Sequence, residues 1–374
     1  MDAIRFLQRM IQIDSSNPPG NENDIARLLA ERCDQSGIPY TISEVGANRS
    51  NFEIRIEGEG DGRFIFCGHM DTVLPGEQPW KFPPFSGEIA GDQLYGRGAS
   101  DMKSGLCAMF LAVESLFNEQ KRLPMDIVFL ATAGEEVDSC GARKYLQEQH
   151  LDDDVKALVI GEPTNEKVVV GHKGALWLEI ITVGKTAHGS MPEMGINAVE
   201  WMQKVMEMIE SLKTKWKISA VPLGESSLAI TKLNGGVQTN VIPDRCSLHV
   251  DIRSIPPQSH EELIMEINQN LNELFSAENA PDYFVDILLD RPSILTEKSS
   301  HIITTALEIK NQDSVYGVSY YTDGAVLNPD SKIPTLIYGP GDEKLAHQPN
   351  EYVDVHAYLR SIEFYKKLAI AFTS

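Results

Sequence analysis

The chain has 374 residues, 42% of them apolar and 23% charged, and a formal net charge of −21. That length exceeds the size at which one hydrophobic core usually keeps growing, so two domains are expected. An acidic chain without clustered Lys and Arg speaks against nucleic acid or an anionic membrane as partner, and no apolar run is long enough to span a bilayer, which leaves small molecules.

Met1 to Leu7 reads as the opening turns of an amphipathic helix and lacks the basic start, apolar stretch and small-residue cleavage site of a secretory signal, so a cytoplasmic protein is expected. Cys33, Cys67, Cys107, Cys140 and Cys246 form no Cys-x-x-Cys pair; odd in number and dispersed, they read as reduced, mostly buried thiols. Three short apolar runs, Arg63–Cys67, Asp126–Leu130 and Ala157–Ile160, read as buried strands ended by Gly or polar clusters. Between the first two, Leu106, Met109, Val113, Leu116 and Phe117 share one helical face. Strand, helix, strand is the rhythm of a largely parallel α/β sheet.

From Lys173 to Asp290 the pattern changes. A strand Trp177–Val183, a helix Asn197–Lys213, strands Leu228–Leu233 and Ser247–Arg253, a second helix and a strand Phe284–Leu289 follow in the β-α-β-β-α-β order of a ferredoxin-like α+β domain. The second helix opens with Ser259 and Glu262, a capping box, and carries Ile264, Ile267, Leu271 and Leu274 at helical spacing. A helix His301–Ile309, a strand Thr335–Tyr338 and a terminal helix from Val355 complete the chain. A discontinuous domain, 1–172 and 291–374, with 173–290 inserted into it, is the expected organisation.

Candidate metal ligands recur just beyond these strands, where ligands bind in a parallel α/β sheet. His69 and Asp71 are two apart and would share a face of an extended segment, so Asp71 could hold the imidazole nitrogen that His69 does not offer to a metal. Gly96 to Gly105 resembles a phosphate loop, but no Gly precedes Lys103, and Asp101 stands where a dinucleotide loop has its third glycine and would repel phosphate. Glu135 and Glu136 close a strand; adjacent residues of an extended backbone point apart, so one can bind metal while the other addresses water. Glu162 follows the next strand, and His347 follows a turn-rich segment containing Gly339 and Gly341. Nitrogen and oxygen ligands without thiolate suit zinc, cobalt or manganese. Two imidazoles and three carboxylates suffice for two ions about 3.5 to 4 Å apart, which generate hydroxide and polarise a carbonyl.

Gly68-His69-Met70-Asp71, Gly96 to Lys103, Gly134-Glu135-Glu136, Gly161-Glu162-Pro163 and the late His347 together resemble the co-catalytic zinc peptidase and deacylase family of acetylornithine deacetylase, succinyl-diaminopimelate desuccinylase, aminoacylase and glutamate carboxypeptidase. The resemblance spans nearly the whole chain and implies a zinc-peptidase-like catalytic domain with an inserted lid and dimerisation domain. It places His69 and Glu162 on one ion, Glu136 and His347 on the other, and Asp101 between them. Glu135 becomes the general base for attack by a metal-bridged hydroxide, and the Asp101–Met102 peptide is expected to be cis. His188, in Thr186 to Ser190, resembles a histidine that supports the oxyanion in the neighbouring subunit of a homodimer. Asn240 and Arg253 resemble lid residues that hold the substrate's carbonyl or carboxylate; Gly339 and Gly341 are taken as substrate-binding.

An N-acyl amino acid is then the expected substrate, with a dipeptidase or glutamate-carboxypeptidase-like exopeptidase as the neighbouring alternative and a metal-binding, non-catalytic homologue as the different class. Retention of Glu135 beside all five ligands argues against the last. The desuccinylase has an arginine near the start of its lid and a Ser/Gly-rich stretch before Ser-Asp-Gly; here Lys173 and Ser319 to Gly324 stand instead, and two adjacent tyrosine rings would narrow the pocket.

Overall fold

The computed structural model describes residues 2–120, 123–149, 151 and 153–373; Met1, counted in the expected first helix, lies outside them. Two compact units form, Met1–Gly171 with Leu295–Val318 and Thr322–Ser374, and His172–Ile294 with Ser319–Tyr321.

The first unit is built on a mixed sheet. Its centre runs Asp126–Thr132, Arg63–His69, Val155–Ile160, Thr335–Ile337, all parallel, with Phe66 opposite Phe129 on one side and Val159 on the other. Every residue of Arg63–His69 is buried, as expected of a strand covered on both faces. Two of the expected strands extend two residues further, to His69 and Thr132, because ladder hydrogen bonds continue past the last apolar side chain. Among the strands with no counterpart in the expected elements are Tyr40–Gly46 and Arg49–Ile56, which add an antiparallel edge beyond Asp126–Thr132. Their sequences mix charged and apolar residues, and Tyr40–Gly46 has no fully buried position.

Helix Lys103–Asn118 is buried nearly all round, rather than along one face, because it lies between the sheet and helix Val355–Thr373. Phe110 meets Phe129 at 5.6 Å and Phe6 at 5.5 Å between ring centroids; Phe66 meets Tyr365 at 5.5 Å and Phe64 meets Phe372 at 5.2 Å. Burial contributes about 1.5–3 kcal/mol for each such ring. At the start of this helix the backbone comes against the segment that leads to Glu162. A Cβ on Gly105 would stand 1.8 Å from the Gly161 carbonyl oxygen.

In the second unit the strands run Ser227–Gly235, Arg245–Arg253, Ala175–Val183, Asp282–Arg291, all antiparallel, which is the ferredoxin-like order. Helices Ala198–Lys215 and His260–Leu274 cover one face, packing Met202, Val205, Ile209 and Ile267 among Leu178, Ile180, Leu248 and Val250. Asn197 caps the first helix, accepting from the amides of Val199 and Glu200. The expected capping box of the second does not form: Ser259 stands at the cap without a side-chain bond. The entry is held instead by buried His260, whose Nδ1 lies 2.6 Å from Asp290 Oδ1 and whose Nε2 lies 2.7 Å from Ser254 Oγ.

Among the described residues no helix is long and apolar enough to cross a membrane.

Because the Gly105 approach is backbone against backbone, Gly105→Ala cannot be relieved by a rotamer change. Overpacking typically costs about 1–3 kcal/mol and occasionally more; we expect a loss near about 3 kcal/mol in urea unfolding. Wild-type stability would refute the close approach.

Candidate metal centre

Six of the expected residues converge at the carboxyl ends of the central strands. His69 is the last residue of its strand, Glu135 and Glu136 follow Asp126–Thr132, and Glu162 follows Val155–Ile160. Asp101 stands in the loop entering helix Lys103–Asn118, and its peptide to Met102 is cis. His347 lies on the long loop after Thr335–Ile337, in the left-handed region at φ 62°.

The two imidazoles divide the carboxylates between them. His69 Nε2 lies 3.3 Å from Asp101 Oδ1 and 3.7 Å from Glu162 Oε1. His347 Nε2 lies 3.5 Å from Asp101 Oδ2 and 3.0 Å from Glu136 Oε2. Asp101 thus turns one oxygen toward each histidine. Glu135 offers an oxygen within 4.8 Å of ligand atoms of His69 and Glu162. His69 Nδ1 lies 2.9 Å from the carbonyl oxygen of Asp71, which only an N–H can satisfy, so in the neutral ring Nε2 keeps its lone pair toward the carboxylates.

Water reaches this cluster mainly at His347, whose side chain is 52% exposed, and little elsewhere. The side chain of His69 is 1% exposed and that of Glu162 4%. Burial raises Glu162 well above the ordinary glutamate range, and Asp101 adds to the effect. Burial likewise raises Glu135 well above it, reinforced by Glu162, Asp323 and Glu136. Glu136 is raised by burial and by Asp101. Asp101 moves the other way: burial opposes its charge, but His347 and His69 hold it below the usual range. Burial opposes the charged form of His69 too, yet Asp101 and Asp71 raise it well above its ordinary value, and Asp101 and Glu136 lift His347 to about 10. Glu135 Oε1 and Glu136 Oε1 are buried without a hydrogen-bond partner in the protein. Crowded carboxylates, unpaired buried oxygens and a nitrogen and oxygen donor set together fit divalent cations.

The segment bearing Glu135 and Glu136 departs from expectation. It is a turn rather than extended chain, so both carboxylates enter the cluster instead of pointing apart. The cause is Asp71. Its side chain was expected to hold the imidazole; it lies 3.5 Å from His69 Nδ1, with shorter contacts to three backbone amides and the Asn17 side chain. It accepts from the amides of Gly134, Glu135 and Glu136 at 3.0, 3.1 and 3.3 Å, with Asn17 Nδ2 at 2.9 Å.

Gly339 and Gly341, taken as substrate-binding, both stand where backbone segments pack closely. The Gly339 amide donates to Thr164 Oγ1 and its carbonyl accepts from the Glu166 amide, while a Cβ there would stand 2.5 Å from backbone oxygens of Gly161 and Glu162. At Gly341 a Cβ would meet the Ser100 carbonyl oxygen at 2.2 Å.

Three supporting side chains were not anticipated. Asn17 holds Asp71; Glu351 receives the amides of Ser100 and Asp101; and buried Asp323 receives the Thr132 hydroxyl at 2.6 Å. Asp323 stands in the quoted Ser319 to Gly324 stretch, which was the available signal; Asn17 and Glu351 had none.

His188, Asn240 and Arg253 belong to the second unit. His188 and Asn240 are exposed on adjoining loops, where the Gly189 amide donates to the Asn240 carbonyl and His188 Nδ1 lies 2.8 Å from Ser190 Oγ. Arg253 is half-buried, paired with Asp251 at 2.9 Å and 6.0 Å from the Trp177 ring. Of the two rings expected to narrow a pocket, Tyr321 lies 5.9 Å from the Arg291 guanidinium within this unit.

The model of peptidase family M20/M25/M40 matches residues 65–371. A Staphylococcus aureus protein named "Probable succinyl-diaminopimelate desuccinylase" is 30% identical over 99% of this chain and 97% of its own length. An acetylornithine deacetylase of Aliivibrio fischeri is 31% identical over 91% of this chain and 89% of its own. The crystal structure of the Bacillus subtilis YXEP protein, described as a dinuclear metal-binding peptidase from the M20 family, superposes with a TM-score of 0.74 at 16% identity, covering 99% of this chain and 97% of that one.

Metal binding must displace protons from these side chains. His347 stays protonated up to a pH of about 10 in the metal-free protein, so zinc affinity should rise with pH between about 6 and 9, with proton release visible as a buffer-dependent heat in calorimetry. A pH-independent affinity would contradict this protonation pattern.

Proposed function

The chain belongs to peptidase family M20/M25/M40, metal-dependent hydrolases of amide bonds, and we propose that it removes the acyl group from an N-acyl amino acid at a two-metal centre. The observation that carries this reading is Asp101, with one carboxylate oxygen toward His69 and Glu162 and the other toward His347 and Glu136. In the proposal His69 and Glu162 hold one divalent ion, His347 and Glu136 the other, and Asp101 both, with zinc the first choice and cobalt or manganese the alternatives. The donor set and the dinuclear description of the Bacillus subtilis neighbour support it. Such ions would acidify water and polarise the scissile carbonyl.

The chain's own contribution is then proton handling and aim. Glu135, buried and with Oε1 unpartnered, takes a proton from the attacking water as the new carbon–oxygen bond forms, then delivers it to the nitrogen as the carbon–nitrogen bond breaks. The products are a carboxylate and a free amine. Asp71 serves this step indirectly, since it accepts the Glu135 amide and so sets where the glutamate begins.

In this reading residues 173–290 are the lid and dimerisation domain, and 1–172 with 291–374 the catalytic domain. His188, Asn240 and Arg253 handle the substrate by their match to the family's motifs, Arg253 as a carboxylate clamp. The protein acts as a homodimer in the cytoplasm, where free cysteines such as these stay reduced.

Glu135→Gln should retain two ions per chain while kcat falls at least about a hundredfold, as loss of a general base does. Turnover near wild type would remove Glu135 from the role. A panel of N-acetylornithine, N-succinyl-diaminopimelate, other N-acyl amino acids and dipeptides, assayed with added zinc, cobalt or manganese, identifies the acyl group. Hydrolysis of dipeptides alone would replace the deacylase reading with an exopeptidase one.

A further inference from the structure

We propose that Glu351 is a positioning residue that locks the loop bearing Asp101 to the loop bearing His347, so that the half of the centre made by Asp101, Glu136 and His347 depends on it. The proposal rests on the two-metal reading above.

The ligands differ in how they are held. His69 ends a regular strand, and Glu162 stands two residues beyond another, joined to the sheet by the Gly161 amide, which donates to the Cys67 carbonyl. Asp101 and His347 sit on irregular loops, where no ladder fixes the backbone. Glu351 supplies the missing restraint from a position four residues past His347. Its Oε1 accepts from the amides of Ser100 and Asp101 at 2.8 and 3.0 Å, its Oε2 accepts from Arg97 Nη1 at 2.5 Å, and its own carbonyl accepts from the Gly96 amide at 2.9 Å. One residue thus binds both ends of the Gly96–Asp101 loop. A second tie, from Ser100 Oγ to the Asp342 carbonyl at 2.9 Å, joins the same two loops.

A role confined to stability is the competing explanation. The Glu351 and Arg97 side chains are 0% and 2% exposed, and a buried ion pair seldom outperforms an apolar pair of the same volume. The carboxylate does more than pair, however, because one of its two oxygens is given over to the successive amides of Ser100 and Asp101. Residues that orient metal ligands in this way typically carry 10- to 100-fold in metal affinity. A stability role predicts no preference between the two ions. The proposed role predicts unequal losses: Asp101 serves both ions, but the one it shares with His347 and Glu136 has two ligands on the tied loops and is weakened more.

The test titrates the metal-free full chain with zinc by calorimetry, and with cobalt followed by its visible absorption, in wild type and Glu351→Gln. Glutamine keeps one oxygen for the amides but removes the charge facing Arg97. The expected result is two unequal losses, one ion weakened about 10- to 100-fold and the other clearly less, with the larger change in the cobalt spectrum belonging to the more weakened ion. Should the single variant fail to fold, Arg97→Met combined with Glu351→Gln leaves no unpaired buried charge, and the same unequal loss is expected. A folded variant that binds both ions at wild-type affinity, or loses both equally, overturns the proposal. Failure of the wild type to bind two ions overturns the two-metal reading instead.

Discussion

Asp101, Glu135, Glu136 and Glu162 meet two imidazoles, of which that of His69 is buried and that of His347 half open to water, and much of the first unit serves to hold that arrangement together. Like charges this close would separate or stay protonated if the chain were free to move. The directions of the shifts express this: Glu135, Glu136 and Glu162 rise, and the two histidines rise with them. The protein therefore carries, before any cation enters, three glutamates whose charged forms are costly, while the imidazolium forms of the two histidines and the Asp101 carboxylate are favoured by one another. In the proposed reading two divalent ions relieve that cost.

Rigidity is what prevents the cluster from relaxing. The strands of His69, Glu135 and Glu162 run side by side in parallel, with aromatic rings packed on the sheet. Near the site, glycines let backbones approach without an intervening Cβ: Gly105 against Gly161, Gly339 against Gly161 and Glu162, Gly341 against Ser100. Carboxylates directed at backbone amides do the rest. Asp71 gathers the Glu135 turn, and Glu351 gathers the loop of Asp101. The second unit is stabilised separately, by two helices on one face of an antiparallel sheet, and it carries the loops of His188 and Asn240.

Much of the architecture was legible because it follows from periodicity. Buried parallel strands read as apolar runs, helix Lys103–Asn118 read from its spacing, and the β-α-β-β-α-β order of the insert emerged with it. The edge strands Tyr40–Gly46 and Arg49–Ile56 were not legible, since residues exposed on one side interrupt the pattern. The Ser259 capping box was legible and did not form, because tertiary contacts of the neighbouring His260 hold the helix entry. The close packing of Gly339 and Gly341 against the backbone of Gly161, Glu162 and Ser100 was not legible, since it depends on segments distant in the chain.

The sequence by itself determined which side chains can bind a metal and that most of them follow strands, because residue type and hydrophobic period are local properties. Only the tertiary structure decided that Asp101 faces both histidines, that Glu135 and Glu136 turn the same way, and that Asp71 and Glu351 serve backbone amides. Those outcomes depend on N–H and C=O groups brought together from distant segments. Every residue but proline carries the same pair of groups, so nothing in the order of side chains marks which of them will meet.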